Sequence, residues 1–229
     1  MDLMAAKGIR TFCPDMRGLG GTIKDRPGWT TPDTCTEDVK AVLDHLSSVE
    51  GIKSPSLIGW SQGALIAQLV AQRHPDTISS LVLYASIYDP DADNPKTPDD
   101  VFAAPPPVVS NNMESAMEDW TVPGLIDDEA AQAFRDEALV WDSLKASWSK
   151  LDQFNACDPA KVTTRTLVIH GEKDMYTDMG KQMALFMGIS NPDKSWRVVP
   201  GCDHPVHLYP KHRQVWLRDI LSFLENDVL

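Results

Sequence analysis

Ser56-Leu57-Ile58-Gly59-Trp60-Ser61-Gln62-Gly63-Ala64 is the stretch on which the reading of this chain turns. A short β-type run precedes Gly59, and an apolar, alanine-rich run with helical character extends from Ala64 to Ala71. The order is strand, sharp turn, helix, with Ser61 at the apex. Such a turn holds its serine in a strained backbone conformation and lifts the hydroxyl clear of the sheet. Gly59 and Gly63 are expected on either side because a Cβ at either position would meet the neighbouring strand or helix. A bare Gly-x-Ser-x-Gly arises by chance in roughly one chain in ten of this size. The weight therefore rests on the flanking pattern and on the rest of the chain.

A serine hydroxyl attacks at neutral pH only with a base beside it, usually histidine, and the base needs a third group to hold its tautomer. Thr166-Leu167-Val168-Ile169-His170 reads as a buried strand and runs into Gly171-Glu172-Lys173-Asp174. Trp196-Arg197-Val198-Val199 reads as another and runs into Pro200-Gly201-Cys202-Asp203-His204. Both candidates lie just past the C-terminal end of a predicted strand, the edge of an open parallel sheet where sites form. His204 is preferred to His207 as base because it directly follows the strand-end turn. Asp174 is preferred to Asp203 as its orienter because adjacent residues diverge in direction. His170 reads as structural, and His45, His74 and His212 as solvated residues on helices or their ends.

The order Ser61, Asp174, His204 resembles that of the α/β-hydrolases, in the branch that carries a lid and a serine nucleophile. The resemblance spans nearly the whole chain. Asp15-Met16-Arg17-Gly18-Leu19-Gly20 looks like the loop after that family's fourth strand, Leu57 to Gly63 its fifth strand and nucleophile turn, and Ile78 to Ala85 its sixth strand. Leu167 to Asp174 and Val198 to His204 look like the seventh and eighth strands with their acid and base. It implies an α/β fold, a mostly parallel sheet flanked by helices, with a helical lid inserted at 86–151 between core segments 1–85 and 152–229. It implies that Ser61 attacks a carbonyl, that His204 takes and returns the proton, and that Asp174 orients the ring, with no cofactor and no metal. The expected reaction is hydrolysis of a carboxylic ester, thioester or lactone of a small apolar molecule. Alternatives are a repurposed member that binds without turnover, or an enzyme of acyl transfer or C–C bond cleavage. Serine at the turn disfavours the branches with aspartate there.

In one respect the chain departs from that family. Its members usually begin with three further strands and a His-Gly loop that helps hold the oxyanion. Here Met1 to Lys7 leads straight into Gly8-Ile9-Arg10-Thr11-Phe12-Cys13, read as the fourth strand. The resemblance thus implies one oxyanion donor, the Gln62 N–H, a slowed reaction, and a sheet edge left open to pairing, which leaves a homodimer in view.

With 229 residues, 42% hydrophobic and 24% charged, the chain suits one domain with a sizeable core. A net charge of −12 argues against nucleic acid and anionic membranes as partners. Cys13, Cys35, Cys157 and Cys202 show neither metal spacing nor a disulfide framework, and no signal-like segment is seen, so a cytoplasmic setting is the default. Cys202 reads as a packing residue. Thr34 and Glu37 fit a capping box ahead of a helix through Val39, Val42, Leu43, Leu46 and Val49. Further helices are expected over Thr177–Ile189 and from Pro210 onward. In the lid, Trp120 and Trp141 are candidates for lining a substrate pocket, together with Trp60 beside the serine.

Overall fold

The computed structural model describes residues 2–22 and 28–225. Its sheet follows from two runs that are apolar on both faces, Ser80–Tyr84 and Arg165–Gly171. A strand buried on both sides must be central and covered by helices above and below. The elements in chain order are α1 (Asp2–Ala5), β1 (Trp29–Thr30), α2 (Pro32–Ser48), β2 (Leu57–Trp60), α3 (Gln62–Arg73), β3 (Ser80–Tyr84), α4 (Met113–Ala116), α5 (Asp128–Trp141), β4 (Ser147–Trp148), β5 (Arg165–Gly171), α6 (Met179–Gly188), β6 (Lys194–Val199) and α7 (Arg213–Glu225).

Four of the strands form one parallel sheet in the order β2-β3-β5-β6. Side chains alternate between its faces, as the pleat requires. Leu81, Leu83 and Val168 pack with Leu43 of α2, Ala64, Ala67 and Val70 of α3, and Leu185 of α6. Val82, Tyr84, Leu167 and Ile169 point the other way, onto Leu217, Ile220 and Phe223 of α7 and Met4 of α1. The result is helix, sheet, helix, with every strand's C-terminal end on one side.

Some expectations are corrected. Gly8–Cys13 forms no strand; only Ile9 packs inward, against the α7 cluster, and Arg10 to Cys13 are exposed. A strand requires a ladder partner, and among the described residues β2, the nearest edge in family order, pairs only with β3. The α2 cap is Thr31 rather than Thr34: its hydroxyl accepts from Thr34 N–H, the Thr34 hydroxyl accepts from Thr31 N–H, and Pro32 opens the helix. The last helix starts at Arg213, three residues after Pro210.

Between β3 and β5 the chain leaves the sheet. This region holds α4 and α5, a 3₁₀ turn at Asp99–Ala103, and an antiparallel bridge between Ser110 and Leu144. Its far end, β4, returns to pair in parallel with β1.

Candidate active site

Gly59 sits where β2 passes closest to α3. A Cβ there would lie 2.3 Å from the Gly63 carbonyl oxygen and 2.7 Å from Ala64 Cα, contacts no side chain can relieve. This close approach forces the abrupt reversal at Ser61, whose backbone takes φ 57° and ψ −124°. The turn is pinned by Ser61 N–H donating to the Tyr84 carbonyl at 2.9 Å and by Ala64 N–H donating to the Ser61 carbonyl at 3.0 Å. Gly63 differs from expectation: a Cβ there meets nothing within 4 Å. Gln62, as first residue of α3, has no intrahelical acceptor for its N–H, which is left at the positive end of the helix.

A second close approach brings acid and base together. A Cβ on Gly171 would lie 2.3 Å from the Asp203 carbonyl oxygen and 2.5 Å from that of Cys202. With only hydrogen at that position, the loops after β5 and β6 zip together. Glu172 N–H donates to Val199 at 2.9 Å, Lys173 N–H to Cys202 at 2.7 Å, and Gly201 N–H to the Glu172 carboxylate at 2.8 Å. Across this seam His204 Nδ1 meets Asp174 Oδ2 at 2.7 Å, with both side chains almost fully buried. A carboxylate only accepts, so Nδ1 donates, which in the neutral ring leaves the lone pair on Nε2. That Nε2 is buried and has no protein partner among the described residues. Asp174 Oδ1 accepts from Tyr176 N–H at 2.9 Å, and the Tyr176 ring stands edge-on to the imidazole, centroids 5.0 Å apart.

The structure therefore joins Asp174 to His204 and sets Ser61 on the neighbouring turn. Trp60 links them, its ring 5.4 Å from that of His204. The Ser61 hydroxyl makes no hydrogen bond to Nε2. Nucleophile–base bonds of ligand-free sites are commonly long and tighten when substrate enters. His207 lies behind, boxed by Trp60, Tyr84 and Trp216, with Tyr84 Oη 3.0 Å from its Nδ1. Burial, reinforced by His204, pushes its pKa down to about 4, so it stays neutral. Burial likewise pushes the Cys202 thiol up to about 12, which leaves it a packing group.

Of the three tryptophans, Trp60 stacks on Tyr84 at 6.2 Å and its buried Nε1 is unpartnered. Trp120 packs against Phe134 of the lid at 4.7 Å and against the α7-side core. Trp141 is not brought to the site. It is 66% exposed and donates to Glu137 one turn back on α5.

Sequence reasoning missed several neighbours. Tyr84 Oη donates to the His204 carbonyl at 2.9 Å, and burial keeps that phenol protonated. Period-2 patterning puts Tyr84 on the α7 face, but no sequence signal gives its hydroxyl a partner. Tyr176 had a signal, two residues beyond the acid in a strand-end loop. Asp119 in the lid is half-buried near His204 and Asp174, and burial holds its carboxyl above the usual range. Among the described residues no group of histidine, cysteine and carboxylate side chains could hold a metal ion.

Comparison with known proteins gives a consistent picture. A family model described as serine aminopeptidase S33 matches residues 1–210. The 2-hydroxymuconate semialdehyde hydrolase of Pseudomonas putida is 26% identical over 237 residues, covering 96% of this chain and 79% of that protein. Among solved structures, the monoacylglycerol lipase of Paleococcus ferrophilus superposes with a TM-score of 0.72 at 19% identity, covering 99% of this chain and 87% of its own. A meta-cleavage product hydrolase from Pseudomonas fluorescens IP01 gives 0.65 at 18% identity, covering 93% and 79%. At these identities the solved structures speak to fold alone.

Proposed function

This chain belongs to the α/β-hydrolase family described as serine aminopeptidase S33, and from that membership and the geometry of the Ser61 turn we propose that it is a serine hydrolase working through an acyl-enzyme. The observation that carries the proposal is a strained serine at φ 57° on a strand–helix turn, next to a buried histidine whose Nδ1 is held by Asp174 and whose Nε2 is unpartnered. A histidine so oriented accepts a proton at Nε2 and has its developing charge matched by the carboxylate.

In this reading Ser61 Oγ attacks the substrate carbonyl while its proton moves to His204 Nε2. The Gln62 N–H, free at the start of α3, donates to the oxygen that gains charge. His204 then protonates the leaving group, and water, activated by the same nitrogen, releases the acid. The substrate class is a carboxylic ester, thioester or lactone. Trp60 and Tyr176 offer apolar surface against the His204 ring, and in this reading Trp120 extends it from the lid, which suits a small apolar acyl or alcohol part. A second reading is hydrolysis of a meta-cleavage product, supported by the likeness to the semialdehyde hydrolase along 96% of this chain.

Labelling by a fluorophosphonate probe, read by intact mass, tests the nucleophile. Wild type is expected to gain one adduct and Ser61→Ala none. A folded wild type that stays unlabelled would sink the assignment. Turnover of p-nitrophenyl esters against a meta-cleavage product then separates the two substrate readings.

A further inference from the structure

Asp203 precedes His204 and is fully buried, yet among the described residues no cation pairs with it. Its carboxylate is held by neutral donors. Oδ2 accepts from Thr121 N–H at 2.6 Å, from Val122 N–H at 2.7 Å and from the Thr121 hydroxyl at 3.2 Å. Oδ1 accepts from Tyr209 Oη, whose phenol is kept protonated by burial and by this bond. Two of these donors are main-chain groups of the lid, 82 and 81 residues away in sequence.

A buried carboxyl group is costly unless donors meet its lone pairs. If Thr121 and Val122 move off, the Asp203 side chain is left buried with Tyr209 alone. The lid segment is held at a second point as well: the Glu118 carbonyl accepts from Tyr176 Oη at 3.3 Å, and Tyr176 stands against His204. The two holds lie on either side of the dyad, one in the acid loop and one in the base loop. Between them run Asp119 and Trp120, and Trp120 carries the contact to Phe134 of α5.

We infer that Asp203 is a positioning residue: it latches lid residues Thr121 and Val122 to the loop bearing His204, so that the Trp120 wall, and with it the preference for a small apolar acyl part over acetyl, depends on this carboxylate. The effect on selectivity rests on the hydrolase reading above; the latch itself rests on the geometry alone.

Three variants test it. Asp203→Ala removes the acceptor. Asp203→Asn keeps one oxygen for the lid amides and turns its NH₂ toward the Tyr209 oxygen, so it should restore most of the latch. Thr121→Pro deletes two donors from the lid side, the Thr121 N–H and its hydroxyl, and leaves Val122 N–H in place. Hydrogen exchange is read on a peptide containing Val122. Protection in wild type is expected to fall about tenfold or more in Asp203→Ala and Thr121→Pro, with Asp203→Asn near wild type. The ratio of kcat/KM for p-nitrophenyl hexanoate over acetate is expected to drop about tenfold in the same two variants, mainly through a higher KM for the hexanoate, and to recover in Asp203→Asn. An unprotected Val122 amide in wild type, or exchange unchanged in Asp203→Ala, overturns the latch. Faster exchange with an unchanged ester ratio overturns the positioning role. A wild type that cleaves neither ester counts against the hydrolase reading, and the exchange result still decides the latch. If Asp203→Ala does not fold, Thr121→Pro carries both measurements.

Discussion

Ser61 holds a backbone conformation that a residue with a Cβ adopts only at a cost of about 1–3 kcal/mol. Ser61→Gly is therefore expected to raise the melting temperature while abolishing fluorophosphonate labelling, checked by calorimetry and mass on one sample. The two glycines beside it should behave oppositely. Gly59→Ala meets backbone at 2.3 Å and should fail to fold or lose several kcal/mol, whereas Gly63→Ala meets nothing and sits in a helix, where alanine is favoured by up to about 1 kcal/mol. Denaturant titration of both decides the contrast. His207 gives a pH signature. Its pKa falls from the ordinary 6.5 to about 4 in the folded protein because it is buried beside His204. The unfolded chain thus binds this proton first as pH drops. The stability that His207 contributes is complete above pH 6.5 and declines toward pH 4, by up to about 3 kcal/mol. His207→Gln should flatten that part of the stability–pH curve. At this scale the sequence was informative where a residue's partner follows from its place on a strand end. Asp174 and His204 are examples. It was silent where the role depends on what a distant loop delivers, as with Asp203 and its lid amides.

The elements show the same division. β3 and β5 were legible because a buried strand in a parallel sheet is a continuous apolar run, β6, at the sheet edge, from the short run Trp196-Arg197-Val198-Val199, and α2 from its spacing. Its start was misplaced by one turn because Thr31 and Thr34 both satisfy the composition of a cap, and only Pro32 at the first helical position separates them. Thr31→Ala is expected to cost about 1 kcal/mol, and Glu37→Ala, outside the true box, close to nothing, by thermal denaturation. Gly8–Cys13 has strand composition but no ladder partner, and strand formation belongs to the pair rather than to the segment. Trp141 illustrates the limit for helices. Spacing on α5 gives it a face but not the identity of what that face meets.

For the whole molecule, topology did most of the work: with the four strands of the main sheet parallel, the loops after β2, β5 and β6 must open on one side, which is why the turns bearing residues 61, 174 and 204 share one sheet edge. Parallel order also leaves β2 as an edge, with Ile58 38% exposed. Self-association through this edge is expected at high concentration, and Ile58→Lys should suppress it; sedimentation across a concentration series checks both.

The neck of the lid has a consequence for how such a protein can be rebuilt. Ser110 and Leu144 face each other across an antiparallel bridge, flanked by Asn111 N–H to Ser143 at 2.9 Å and Lys145 N–H to Val109 at 2.9 Å. Everything from 111 to 143 leaves and re-enters through this one gap, while the stem beyond it is tied to the body by β4 on β1. Recombination at 110 and 144 exchanges a cassette with its two ends already adjacent. Recombination at the ends of β3 and β5 tears out the stem as well. A graft joined at the neck would have further sockets to match, among them Asp203 for its main-chain amides, the Tyr176 hydroxyl that donates to the Glu118 carbonyl, and Gly20, whose N–H donates to Asp142 at 3.0 Å.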